Sequence, residues 1–292
     1  MTSNDKPTQP IYLDYDQQQL DAQYDQGTLI KDVQRYERAW RDGSAAATER
    51  LTVRRDVAYG DSPAQKLDLF LPAGEGPFPV VAFFHGGGWT RHGKEKFAFP
   101  APAFIDHDIA FACVGFDMLP KVTVPQIAAQ CRQAIDWLLA NAPDLKVDAD
   151  ALFVAGHSSG AHLAAATLAL NDGAPPPDIK GALLLSGVYD LQPLLLSARN
   201  EALQLTEELV RTLSPINNIP TDPCPLVVAC GGGELDEFQR QSAAFAQAWE
   251  TAGGAVQLIN YSRHNHFSMT EELADATGEA MQGFLEMIEQ RI

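Results

Sequence analysis

The sequence predicts an α/β fold, a mostly parallel sheet of about eight strands with helices on both faces. Two observations carry that prediction. Continuous apolar runs recur as PVVAFFHGG (79–87), IAFACVGFD (109–117), ALFVAG (151–156), GALLLSGV (181–188) and CPLVVACG (224–231), as strands buried on both faces require. Helix-like stretches separate most of them, and strands alternating with helices make a parallel sheet. Right-handed crossovers then bring the strand carboxyl ends, with the loops after them, to one edge.

Residues 1–50 stand apart, being polar, acidic and free of strand-like runs. Leu20, Tyr24, Leu29, Val33, Tyr36 and Trp40 are spaced roughly as one face of helical segments, which predicts an N-terminal helical arm or lid. The α/β domain then covers 51–292. LTVRRDVAYG (51–60) and KLDLFLP (66–72) read as antiparallel strands, because the turn between them is short and holds Gly60, Asp61 and Pro63. Helices are expected over 95–107, 125–141, 158–171, 237–252 and 268–290. In the second, Ile127, Cys131, Ile135, Leu138 and Leu139 form an apolar stripe. GAVQLINY (254–261) supplies the last strand. The stretch 190–222 is too long for a simple loop and reads as a small helical cap insertion over the functional edge.

The 292 residues are 46% hydrophobic and 20% charged, enough to bury a sizeable core. Thirty-eight acidic residues against 21 basic ones give a formal charge of -17, a surface that repels phosphate backbones and anionic lipid. Nucleic-acid and membrane partners are therefore not expected. MTSNDKPTQP has neither a basic nor an apolar leader segment, and Cys113, Cys131, Cys224 and Cys230 form no C-x-x-C pair. A cytoplasmic location with free, buried thiols is the expectation.

Gly156-x-Ser158-x-Gly160 lies where strand 151–155 meets helix 158–171. Small neighbours let the backbone close into a sharp turn that lifts the serine Oγ clear of the sheet. The helix start adds partial positive charge and unpaired N–H groups. A serine N-cap in a glycine-rich turn would leave the same pattern, so the motif needs company. It has two companions. His85-Gly86-Gly87-Gly88-Trp89 comes directly after the buried strand 80–84, and bare glycines leave their amides open to a ligand. The amides of Gly87, Gly88 and Ser159 are the expected oxyanion hole, with Gly86 permitting the turn. The second companion is chain order. CGGGELDEF offers Glu234, Asp236 and Glu237 after strand 225–230, and SRHNHFSM offers His264 and His266 after strand 255–261. Serine, acid, histidine is the order of the α/β-hydrolase fold. A serine hydroxyl needs an imidazole to take its proton, and the imidazole needs a carboxylate to fix its tautomer.

His266 is preferred to His264 as the base, since it lies further past the strand, beside Phe267. Glu234 is preferred as the acid because it stands nearest the strand end. Asp236 is the runner-up, and Glu237 falls inside the next helix start. His85 is expected to brace the glycine loop, His157 to pack behind the serine turn and His162 to be a satisfied core residue. His92 and His107 read as loop and surface residues. His264 and His266 lack further ligands for a metal, and the chemistry needs neither metal nor organic cofactor.

HGGGW, GHSSGAHLAA, SGVYDLQPLL, LSPI, DEFQRQS, the N-terminal LDAQYD and the terminal HFS together resemble the kynurenine formamidase (arylformamidase) branch of the α/β-hydrolases, over roughly residues 12–290. The resemblance implies Ser158 as nucleophile, His266 as base and Glu234 as acid, where the family often has aspartate. It also implies hydrolysis of an N-formyl arylamide; relatives with the same motifs are carboxylesterases or amidases. Trp89, Tyr189 and Phe267 are the expected apolar wall for the aryl group of a small acyl substrate. A homodimer is the assembly expected of this class.

Overall fold

A computed structural model describes residues 9–169 and 177–291. The first eight residues of the expected arm and the last two of the expected helix 158–171 lie outside these. One eight-stranded sheet forms the centre, in the order β1-β2-β4-β3-β5-β6-β7-β8. Its strands are β1 Val53–Ala58, β2 Lys66–Phe70, β3 Phe78–Phe84, β4 Ala110–Val114, β5 Val147–His157, β6 Ala182–Leu185, β7 Leu226–Gly231 and β8 Val256–Tyr261. β2 pairs antiparallel with both β1 and β4, and every pairing from β4 to β8 is parallel. Each expected strand is present. β5 begins four residues before its apolar run, because Val147 pairs with Phe78 in spite of the polar Asp148 and Asp150 that come after it.

The helices are α1 Gln17–Ala22, α2 Gln34–Arg50, α3 Ala101–Ile105, α4 Val124–Ala140, α5 Ala142–Leu145, α6 Ser159–Ala169, α7 Gln192–Leu196, α8 Asn200–Leu203, α9 Glu207–Leu213, α10 Asp236–Thr251 and α11 Glu279–Glu289. α4, α6 and α10 match the expected spans closely. The expected helix 95–107 reduces to a 3-10 turn at Lys94–Lys96 and the short α3, because Pro100 and Pro102 lack the amides that a helix running through them would need. The expected helix 268–290 divides into a 3-10 turn, Ser268–Leu273, and α11. α7, α8 and α9 fall within residues 190–222. Among the described residues, no helix is long and apolar enough to cross a membrane.

Two apolar layers sandwich the sheet. Val80, Ala82 and Phe84 of β3 face one layer with Ile127, Leu163 and Trp249, while Val81 and Phe83 face the other with Phe104, Phe153 and Phe284. Alternate residues of one continuous apolar run thus fill opposite cores, each large side chain contributing about 1.5–3 kcal/mol on burial. The arm joins both layers, through Leu20 and Tyr24 on one side and Tyr36 and Trp40 on the other. Leu29, expected on the packed face, is instead exposed. It sits in a 3-10 turn, Gln26–Leu29, whose three-residue period breaks the α-helical register.

Candidate active site

The serine turn closes on its glycines. A Cβ on Gly156 would lie 2.3 Å from the Gly160 carbonyl oxygen, and one on Gly160 would lie 2.0 Å from that of Phe84. No larger residue fits at either place. Ser158, between them, adopts φ +58°, the strained conformation that holds its side chain off the end of β5. Its amide donates to the Leu185 carbonyl at 2.9 Å, tying the turn to the neighbouring strand β6.

From that turn an unbroken chain of hydrogen bonds runs to the end of β7. Ser158 Oγ is 2.9 Å from His266 Nε2, and His266 Nδ1 is 2.6 Å from Glu234 Oε2. The other oxygen, Oε1, accepts the Ser186 hydroxyl at 2.6 Å and the Gly231 amide at 2.7 Å. With Nδ1–H donating to the carboxylate, Nε2 is the basic nitrogen facing the hydroxyl. Glu234 and His266 are both buried, so their pairing is little screened by solvent. An acid, an imidazole and a hydroxyl in this order can move the Oγ proton to Nε2.

The surrounding histidines brace these groups. Burial, and then the neighbouring His266, push the His157 imidazole well below its ordinary value. Neutral His157 donates Nε2–H to the His266 carbonyl at 2.8 Å, which fixes the loop that carries the second imidazole. Burial likewise pushes His85 down to about 4. Its ring stacks between Phe97 and Phe116 while Nδ1 lies 2.9 Å from the Gly86 carbonyl, the brace expected of it. His162 Nε2 lies 3.0 Å from the Leu213 carbonyl, inside the core.

Across the serine stands the glycine loop. Gly87 has φ +133° and a Cβ there would meet the Arg91 carbonyl oxygen at 2.1 Å, so glycine is required. The Gly88 amide donates to Ser159 Oγ at 2.9 Å, and the Ser159 amide, at the start of α6, has no intrahelical acceptor. These groups border a cavity of about 340 Å³ that also reaches Ser158 and His266. Trp40, Trp89, Phe238 and Phe267 give it flat apolar walls, and Leu194 of α7 and Leu203 of α8 also line it.

Several sequence expectations need correction. Tyr189 does not line the cavity: it is fully buried, stacked on Phe245 with ring centroids 4.2 Å apart. Its neighbour Val188 lines the cavity instead. Asp236 is exposed at the start of α10, and Glu237 is engaged by Arg240 and Gln241. His264 turns away to Ser268 and Glu272. His92 is a cavity-wall residue rather than a surface one. Its side chain is 11% exposed and lies 3.9 Å from Glu37 of the arm, and burial pushes it down to about 4.

Sequence reasoning missed three contributors. Ser186 carries the visible signal of a serine directly after an apolar strand. Trp40 and Phe238 reach the cavity from distant helices, and no local pattern marks them as different from other core aromatics.

Comparison with known proteins shows what the chain is similar to. Residues 67–175 match the family model described as BD-FAE. The chain is 28% identical over 263 residues to esterase LipQ of Mycobacterium tuberculosis, covering 80% of this chain and 62% of that protein. A crystal structure of a Silicibacter protein described as a thioesterase superposes with a TM-score of 0.79 at 26% identity, over 92% of this chain and 98% of the other. Kynurenine formamidase of Danio rerio is 33% identical over 258 residues, 86% of this chain and 87% of that protein. The carboxyl-edge site and the likeness along nearly the whole chain agree: this protein belongs to the kynurenine formamidase family of α/β-hydrolases.

Proposed function

We propose that this hydrolase cleaves an N-formyl arylamide such as N-formylkynurenine, with Ser158 as nucleophile, His266 as general base and acid, and Glu234 as the orienting carboxylate. The run Glu234–His266–Ser158, at 2.6 and 2.9 Å, carries the reading. Ser158 Oγ attacks the formyl carbon as His266 Nε2 takes its proton. The amides of Gly87 and Ser159 stabilise the oxygen that becomes negative, while the Gly88 amide, also expected there, is bound to Ser159 Oγ. When the C–N bond breaks, His266 returns the proton to the leaving arylamine. Water then attacks the formyl ester, losing its proton to His266, and formate departs as Ser158 is restored.

The formyl group needs little room, while an aryl leaving group needs flat apolar surface. Trp40, Trp89 and Phe267 supply it in a cavity of about 340 Å³, within the range of small-molecule sites. A family relative named for kynurenine formamidase supports the formamide over other acyl groups, and with it a place in tryptophan breakdown. Four free cysteines fit a reducing, cytoplasmic setting.

A second reading, a general carboxylesterase or amidase, is favoured by the likeness to esterase LipQ. A side-by-side panel separates the two. A kcat/KM for N-formylkynurenine at least about ten-fold above that for p-nitrophenyl acetate is expected, and the reverse order selects the esterase. Labelling with a fluorophosphonate, mapped by mass spectrometry, is expected at Ser158; a label elsewhere, or none, overturns the mechanism.

A further inference from the structure

Ser159 is the first residue of α6, directly after Ser158, and only 3% exposed. Its hydroxyl accepts the Gly88 amide at 2.9 Å. A hydroxyl also has one proton to give, and among the described residues nothing accepts it. The proton is therefore held at the cavity wall beside Ser158 with no partner in the fold. Gly88 and Ser159 both border the cavity, and a Cβ on Gly88 would meet nothing within 4 Å.

We infer that the Ser159 hydroxyl is itself an oxyanion donor, relaying the Gly88 amide to the negative oxygen formed at Ser158. The inference deepens the proposed mechanism and rests on Ser158 being the nucleophile. The amides of Gly87 and Ser159 act directly, whereas Gly88 acts through Oγ. A hydroxyl that accepts from an N–H is polarised and donates more strongly in turn, so the relay keeps three donors while giving the side-chain proton an acceptor only when charge develops. Such a contact is stronger in the transition state than in the ground state, the condition for raising kcat.

The same atoms permit a second arrangement, in which Ser159 Oγ only occupies the hole and blocks Gly88. The two arrangements give opposite signs for Ser159→Ala. The test measures kcat and KM of the full chain and its variants on whichever of N-formylkynurenine or p-nitrophenyl acetate the enzyme turns over, together with inhibition by an aryl trifluoromethyl ketone, which forms a tetrahedral oxyanion on serine. Under the relay, Ser159→Ala lowers kcat by about 10–100-fold with KM within about two-fold. It weakens the ketone by a similar factor, and Ser159→Thr restores most of both. A kcat that is unchanged or raised overturns the relay. So does a lowered kcat with the ketone's affinity intact, since a merely structural role moves the first without the second. Wild-type protein that neither hydrolyses these substrates nor takes label at Ser158 sinks the proposed function instead; an active enzyme indifferent to Ser159→Ala sinks this inference alone.

Discussion

Ser186 Oγ donates to Glu234 Oε1 at 2.6 Å from the end of the neighbouring strand, and Gly231 N–H reaches the same oxygen at 2.7 Å. Both donors sit on one oxygen, which leaves Oε2 free for His266. Ser186→Ala removes the side-chain donor from a fully buried carboxylate. Loss of about 1–3 kcal/mol of stability is expected, the usual cost of a buried acceptor left short of a partner. A drop in kcat of about ten-fold should accompany it as the carboxylate gains freedom to rotate. Denaturant melts and steady-state rates on one preparation check both.

The choice between Glu234 and Asp236 yields a paired prediction. Glu234→Gln keeps the shape but can no longer hold the imidazole in the tautomer that leaves Nε2 basic. A fall in kcat of about 10⁴-fold is expected, on the scale seen when a triad carboxylate becomes an amide. Asp236→Asn, altering an exposed side chain at a helix start, should leave kcat within about two-fold. Equal losses in the two variants would show that the carboxylate facing His266 is not the one that matters.

Much of the fold and of the candidate site was legible in the sequence, for reasons that particular residues display. The apolar run in β3 announces a strand because every side chain from Val80 to Phe84 enters one of two cores. Ser158 was legible because its turn tolerates only glycine at 156 and 160, and Glu234 and His266 because each comes just after its own strand. What stayed hidden depends on distant partners. Tyr189 and Val188 are adjacent and both apolar, and only the packing of Phe245 decides which one turns inward. His92 lies in a polar loop, HGKEK, and contacts with Trp40 and Glu37 of the arm help to bury it. The broken helix after Ser268 is likewise tertiary: the Tyr261 hydroxyl accepts the first-turn amide of Ala280 and so fixes where α11 begins.

Trp40 ties the arm to the site. Its Nε1–H donates to Thr270 Oγ1 at 2.7 Å, just past His266, and its ring lies 6.4 Å from that of Phe267. Trp40→Ala removes a cavity wall and a core side chain together. A stability loss of about 3–5 kcal/mol is expected, with KM for an aryl substrate rising more than KM for a short alkyl ester. Trp40→Phe keeps most of the ring and loses the donor, so it should recover KM before it recovers stability. Equal KM changes for aryl and alkyl substrates would remove Trp40 from the substrate's surroundings.

The buried histidines set how the fold responds to acid. Burial pushes His162 down to about 4 in the folded protein, whereas an unfolded chain protonates histidine near about 6.5. Between these values the unfolded state binds a proton that the folded state refuses. Stability from this residue is therefore complete above about pH 6.5, is lost as pH falls towards 4, and changes no further below. The shift is worth about 3 kcal/mol across that window. His85, also pushed down to about 4 by burial, adds a second loss of the same sign. Urea melts of wild type and His162→Gln at a series of pH values isolate the contribution. The variant is expected to be less stable at neutral pH, because a flexible amide replaces a packed ring that stands edge-on to Trp89. Its stability should also fall less steeply between pH 6.5 and 4, so the two curves converge on the acid side. Parallel curves would mean that the imidazole is protonated as readily in the core as in water, and a buried, neutral His162 would be ruled out.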